Sequence, residues 1–328
     1  LVFAAGEVFL TGSFEKWDAR SPERASAISS TISSSESMLS KVSNLPWFYL
    51  LRPLIQKILA VMQPLKEIRI SYFPQVSIHS PDRGITVISA NLWHDWPFRR
   101  RLTNRLEAFA QLVEKEGADV VLLQEVIRSP QICADEWLAQ RLGMARAYTR
   151  ANGDERAIGF EEGLAVLSRF PIHAPQRRPL GNHKGIPHRM ALATEVVSPL
   201  GKLFAISVHL GILKRRNHQQ WADFQHWVTE MAGGQTALIG GDFNTHEDTY
   251  PIQHAQDMWV DTFRLINPDK DGATHELRLP WGKAFRRRRL DYLFLQPGPT
   301  YWNVEDARHI NTPQQSHSDH HAVLARLV

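Results

Sequence analysis

The chain is poor in cysteine: Cys133 stands alone among 328 residues. A single thiol excludes an intramolecular disulfide and any cysteine-based zinc site. It fits a reducing compartment, and a cytoplasmic location is favoured, although a disulfide-free secreted protein stays open. No apolar run is long and clean enough to cross a bilayer. The most apolar stretch, LPWFYLLRPLIQKILAVM (45–62), is broken by Arg52, Pro53, Gln56 and Lys57, so no transmembrane span is expected. Leu54, Ile58 and Val61 or Met62 fall on one helical face; the favoured reading is a helix covering the domain, with contact to a membrane surface as the second. No intact secretory signal is present, and the opening on Leu1 rather than Met predicts a fragment or a processed start. Nor is there a strong excess of one charge: 38 Lys and Arg stand against 34 Asp and Glu, a net +4. That mild bias suits a polyanionic substrate or an acidic membrane surface without demanding either.

What is present is an ordinary globular composition, 43% hydrophobic and 22% charged, with enough apolar residues for a sizeable core. Residues 1–83 read as an N-terminal extension in which the serine-rich segment 21–44 is a flexible linker. From Gly84 the texture changes. ITVISAN (85–91) alternates like a half-buried strand. Leu102, Leu106, Phe109 and Val113 then recur at helical spacing up to Gly117. DVVLLQE (119–125), GLAVLSRF (163–170), ALATEVV and KLFAISVHL joined by Ser198-Pro199-Leu200-Gly201, TALIGGD, LDYLFL (290–295) and AVLARL (322–327) follow, with a helix over 215–231. Strands outnumber helices, and several are apolar on both faces. Two packed sheets with helices outside would bury them.

Polar residues recur where these strands begin or end. Asn91 and Glu125 close two of them, His209 closes FAISVH, Asp242 and Asn244 follow TALIGG, Asp291 opens LDYLFL, and Asp319 and His320 precede the last. Strand ends of packed sheets can converge on one edge, where loops form a pocket. Carboxylate and carboxamide oxygens are hard ligands suited to Mg²⁺ or Mn²⁺. A histidine beside an aspartate is held in one tautomer. Such a set fits hydrolysis at phosphorus, with a metal to neutralise charge and a fixed base to activate water.

In this order, ISANLW, VVLLQEV, GLAVLSRFPI, ISVHLG, LIGGDFNT, RRLDYLFL and SHSDHHAV resemble the endonuclease/exonuclease/phosphatase superfamily from about residue 84 to the C-terminus. The resemblance implies an α/β (α+β) catalytic domain over 84–328 with the DNase I-like four-layer sandwich, two packed mixed sheets flanked by helices. It implies that Asp242 orients or deprotonates the attacking water and that Asn244 contacts the phosphate. Glu125 is implied as the metal ligand, helped by Asn91, with Asp319 completing a metal or water site. His320 is implied to contact the scissile phosphate and Asp291 to orient it. His209 matches the second histidine of the DNase I and sphingomyelinase branches. The forms ANLWHD and IGGDFNT depart from those of abasic-site endonucleases and inositol-polyphosphate 5-phosphatases.

Each of these residues has a plainer reading alone: Glu125 as a solvated strand end, Asp291 as a turn cap, His320 as surface. Their joint order favours the catalytic one. The run RRRR (286–289) reads as a solvated edge ahead of nucleic-acid contact, and Arg99, Arg100 and Arg101 as solvated. Trp93, Trp96 and Trp281 fit base stacking, lipid contact or loop anchoring equally. Loops 146–162, 172–188 and 266–285 are expected to set substrate choice and carry no decodable signature. The expected protein is a monomeric Mg²⁺- or Mn²⁺-dependent phosphodiesterase, nuclease-like, acting on nucleic acid or, alternatively, on a phospholipid as sphingomyelinases do. From another class stands a non-catalytic protein that binds a phosphate ligand on the same fold.

Overall fold

The structure is a computed structural model that describes residues 3–4, 7–8, 68–71, 84–95, 98–181, 187–278, 284–311 and 316–328. The linker 21–44, the segment 45–62, Trp96 and Trp281 lie outside the described residues. Contacts divide the chain into Leu1–Gln63 and Pro64–Val328. The first unit contributes one described pairing, Phe3–Ala4 against Glu7–Val8. Among the described residues, no helix is long and apolar enough to cross a membrane.

In the second unit the apolar strands assemble two large mixed sheets. One has eight strands, ordered Val304–Ile310, Ala322–Leu327, Ile85–Asn91, Val120–Ser129, Phe160–Ser168, Ala145–Asp154 and Ile68–Ser71, with Ile132–Cys133 beside Val120–Ser129. The other has six, ordered Val260–Asp261, Asp291–Gln296, Ala237–Asp242, Gly201–His209, Arg189–Ser198 and Ile172–Leu180. Period-two alternation sends one face of each sheet to a shared core, which includes Val87, Leu122 and Val166 from the first and Leu192, Leu203 and Leu238 from the second. The opposite faces are also apolar, as a sheet covered on both sides requires. Helices Leu102–Glu116 and Ala134–Leu142 cover the first sheet. Helices Lys214–Ala232 and Tyr250–Met258 cover the second. The result is the four-layer sandwich.

All three stretches expected as loops hold strands, the third being His275–Arg278 within 266–285. Ala145–Asp154 looks polar because Arg146 and Arg150 lie along it, yet both are buried. Arg146 is neutralised by Asp135 and by Glu136 at 2.6 Å, and Asp135 also takes Arg128 at 2.7 Å. Paired charges therefore replace hydrophobic residues on this face, which hides a buried strand from a reading by alternation. Ile172–Leu180 carries Pro175 and Pro179 and pairs on one side only, where a strand tolerates proline.

The arginine run also departs from expectation. Arg286 and Arg287 are exposed, but Arg289 is 1% exposed, bonded to Asp261 at 2.6 and 2.8 Å and to Glu247 at 3.2 Å. Arg286–Arg288 belong to a two-stranded arm, His275–Arg278 with Ala284–Arg288, distinct from both large sheets.

Candidate active site

The strands Ile85–Asn91 and Val120–Ser129 run parallel with Asn91 opposite Gln124. Gly201–His209 and Ala237–Asp242 also run parallel, with His209 opposite Asp242. Asp242 in turn faces Asp291 on an antiparallel neighbour. Register alone therefore sets Asn91 and Glu125 on one sheet and His209, Asp242 and Asp291 on the other, at the same end of the sandwich. Small residues let the sheets approach there: a Cβ on Gly240 would fall 2.7 Å from Leu122 Cδ1 and 2.8 Å from Ser89 Cβ. Gln124 crosses the seam to donate to Ser207 Oγ at 2.9 Å, and Ser207 donates back to the Leu123 carbonyl at 2.9 Å.

Glu125 does not end its strand. The register slips between Leu123 and Val126, and Glu125 takes φ 52°. Such a bulge re-aims a side chain at the cost of a ladder bond, and here it turns the carboxylate to the seam. Asn91 donates its amide to Glu125 Oε1 at 3.1 Å and to Asp242 Oδ2 at 3.0 Å, while its oxygen accepts the Trp93 N–H at 2.9 Å. The backbone of His94 donates to Glu125 Oε2 at 3.1 Å. Burial opposes the charge on Glu125, yet His94 and the Asn91 amide help pull its pKa down to about 2. It is a carboxylate throughout the neutral range.

Asp242 behaves oppositely. Burial and the neighbouring Asp291 carboxylate push its pKa up to about 7. Asn244, at φ 51°, donates its N–H to Asp242 Oδ1 at 2.8 Å and points its amide at His209 Nε2, 3.1 Å away. Phe243 between them is fully buried, edge-on to Tyr292 and Phe294 at 5.4 and 5.5 Å. The alternation of that strand end thus gives two polar groups to the pocket and one ring to the core. His209 lies 3.6 Å from Asp242 Oδ2. Burial and the Arg189 guanidinium, 3.1 and 3.2 Å from its two ring nitrogens, push its pKa well below the ordinary value. The His209 ring is neutral.

His320 Nδ1 stands 2.8 Å from Asp291 Oδ2, which also accepts the Thr274 hydroxyl at 2.6 Å. Burial disfavours a charged ring here. The carboxylates of Asp291, Asp242 and Asp319 more than offset it and hold the His320 pKa well above the ordinary value. His320 is therefore an imidazolium that donates to Asp291. Its other face meets His275, with ring centroids 4.6 Å apart and a backbone bridge between the two residues. Burial and the charge on His320 push His275 down to about 4, so it is neutral. Asp319 is exposed at the mouth, close enough to Glu125 and His320 to feel both charges.

All eight residues expected from the sequence lie at this end of the sandwich. Asn91, Glu125, Asp242, His209 and Asn244 share one connected set of contacts; Asp291 and His320 form a pair beside Asp242; Asp319 adjoins His320. Two groups of described residues bring three ligand atoms within 4.8 Å of one another: Asp242, Asp291 and His320, and His275, Asp319 and His320. Five further residues shape the pocket. His94 sits inside the quoted NLWHD and Arg189 just ahead of ALATEVV. Thr274 and His275 come from the arm and had no local signal, because strand pairing with the distant segment 284–288 carries them in. Arg105, buried in the first helix, donates to the carbonyls of Leu92 and Trp93, each at 2.8 Å, and so anchors the loop after Asn91.

Two packed mixed sheets with a carboxylate and histidine pocket across their shared end define a DNase I-like sandwich. The chain belongs to the Endonuclease/Exonuclease/phosphatase family, whose profile matches residues 88–313. Members of that family are typically hydrolases acting on phosphoester bonds. The chain is 32% identical over 162 residues to the uncharacterized protein YbhP of Escherichia coli K12, across 45% of this chain and 61% of that relative's length. Among solved structures it resembles an endonuclease/exonuclease/phosphatase family protein from Leptotrichia buccalis C-1013-b, with TM-score 0.62 and 16% identity over 74% of this chain and 99% of that one. It also resembles the mannosyl-6-phosphatase Bt3783 of Bacteroides thetaiotaomicron, with TM-score 0.57 and 18% identity over 74% and 99% of the respective chains. At these identities the likeness to the solved structures is one of fold.

Proposed function

We propose that this protein is a divalent-metal-dependent hydrolase of phosphoester bonds, a phosphodiesterase with nuclease-like chemistry that uses in-line attack of water on phosphorus. The observation that carries the reading is the opposed protonation of neighbouring groups: a carboxylate pushed up to about 7 at Asp242 beside an imidazolium at His320. A base poised near neutrality and a fixed cation in one buried pocket are what attack on a phosphoryl group needs. Asp242, held by the Asn244 N–H and the Asn91 amide, accepts the proton of the attacking water. His320, locked by Asp291, presents its remaining N–H to a phosphoryl oxygen, and the Asn244 amide and Arg189 add further donors beside it.

The donor set fits a hard cation. Glu125 is ionised, Asp319 is an exposed carboxylate, and Asp291 Oδ1 is buried with no hydrogen-bond partner among the described residues. Glu125 and Asp319, with Asn91 beside them, would hold Mg²⁺ or Mn²⁺. When bound, such an ion neutralises charge developing on the phosphoryl oxygens.

Hydrolysis of bis-p-nitrophenyl phosphate tests the reading. Turnover is expected with Mg²⁺ or Mn²⁺ and is lost to a chelator; equal turnover in both conditions would remove the metal from the mechanism. The same assay checks the base. Asp242 works only when deprotonated, so kcat/KM is expected to fall as pH drops through an acidic limb at or below about 7. A limb that survives Asp242→Asn unchanged would assign the base elsewhere.

A further inference from the structure

The loops that leave the site-bearing strands share a composition that the pocket does not use. Phe98, in the loop after Asn91, is 73% exposed; Ile212, three residues after His209, is 50% exposed; Leu277, two residues along the arm from His275, is 41% exposed. Each stands beside cations. Phe98 is followed by Arg99, Arg100 and Arg101, with the Arg100 guanidinium 5.5 Å from its ring. Ile212 and Leu213 lead straight into Lys214, Arg215 and Arg216, all exposed. Arg286 lies opposite Leu277 in the arm, so the two share a face with the pair His275 and Arg288, and the His275 ring lies against that of His320 at a 40° tilt.

Arg100 is forked onto Asp95 at 3.0 Å, but the other two groups of cations are not compensated in this way. Lys214, Arg215 and Arg216 have no carboxylate partner among the described residues, and neither have Arg286 and Arg288. The helix that begins at Lys214 has no acidic residue in its first turn and no side-chain cap. Three positive charges at a helix N-terminus oppose its dipole, an arrangement that an isolated folded domain has no reason to adopt. On the other face of the arm, by contrast, Arg287 is paired with Glu276 at 2.8 Å and with Asp271.

We propose that this rim docks the active-site end of the protein on an anionic phospholipid bilayer. Aliphatic tips with bare cations behind them match a leaflet surface: side chains such as Ile212 and Leu277 enter the acyl boundary while Lys and Arg meet the headgroup phosphates. A nucleic-acid strand would find cations here too and one ring, Phe98, to stack on, but the other two tips, Ile212 and Leu277, offer it no stacking face. Docked this way, the mouth between Asp319 and His275 opens on the headgroups. A phospholipid phosphoester then becomes the substrate class, a consequence that rests on the reading of the pocket as a phosphoester hydrolase.

Co-sedimentation of the full chain with phosphatidylcholine vesicles, with and without phosphatidylglycerol, tests the docking surface without needing turnover. The protein is expected to sediment with the anionic vesicles and to be released by salt. Replacing Lys214, Arg215 and Arg216 together by Ala should weaken that partition on the order of a hundredfold. The pair Ile212→Ser and Leu277→Ser should weaken it severalfold, and both variants should keep wild-type turnover of bis-p-nitrophenyl phosphate. Wild type that stays in solution with anionic vesicles overturns the proposal. So do variants that sediment like wild type, which would move membrane contact to another segment such as 45–62. Binding that an oligonucleotide displaces and that ignores the serine substitutions would assign the rim to a nucleic-acid strand instead. Sedimentation without any phosphoester hydrolysis would keep the docking surface and discard only the chemistry.

Discussion

His320→Ala is expected to lower kcat for a phosphodiester by about 10²–10³-fold, with little change in KM. The ring is held by a 2.8 Å bond to Asp291 and carries its charge at neutral pH. Charge on the phosphoryl oxygens grows toward the transition state, so its loss falls on kcat more than on binding. The substitution leaves Asp291 buried but not bare, because the Thr274 hydroxyl still donates to it at 2.6 Å. The variant should therefore still fold, but with a lowered urea midpoint, because the buried Asp291 carboxylate loses its cation. Glu125→Ala should be equally inactive for a different reason, the loss of an ionised cation ligand, and no added metal should restore it. Turnover within about tenfold of wild type in both variants would sink the proposed mechanism, since single groups of this kind are worth more than that.

Arg289→Ala is expected to cost about 3–5 kcal/mol of folding stability. The guanidinium is 1% exposed, forked onto Asp261, within reach of Glu247, and set 4.5 Å from the Tyr292 ring. Removing it strands Asp261, itself 6% exposed, as an uncompensated charge. Urea denaturation should show a lower midpoint with an unchanged slope. Combining it with Asp261→Asn should recover part of the loss, because the two sites share one interaction. A shift below about 1 kcal/mol would show that water reaches Asp261 and that the buried pair is not what holds the start of the Asp291 strand.

The contrast between these two residues marks what was legible in the sequence. His320 announces itself: Ser-His-Ser-Asp-His-His before an apolar strand is a short pattern with few other uses. Strands such as Val120–Ser129 and Ala237–Asp242 were legible because they are apolar on both faces, a composition that only a doubly covered sheet explains. Arg289 looked like the three arginines before it because the sequence does not show Asp261 beside it. Arg146 and Arg150 hid a whole strand in the same way. Pairing of buried charges is a property of distance in space, and hydrophobic periodicity is blind to it. The site divides likewise. Residues at strand ends could be placed by order along the chain, whereas His275 and Thr274 enter through a hairpin arm and Arg189 through the strand beside His209, where Met190 is the residue directly opposite that histidine. The turn at Glu125 was also hidden, since a left-handed glutamate has no sequence mark.

One bond described above links halves of the protein that are 151 residues apart: the amide of Asn91 on the first sheet reaches Asp242 on the second. The proposed base and its orienting donor thus belong to different layers, the first of which draws strands from both sides of the stretch that forms the second. Neither layer holds the pocket alone. Catalytic competence then becomes a report on docking of the two halves, and a sliding or parting of the layers by the length of one hydrogen bond would silence the chemistry while both sheets kept their backbone ladders.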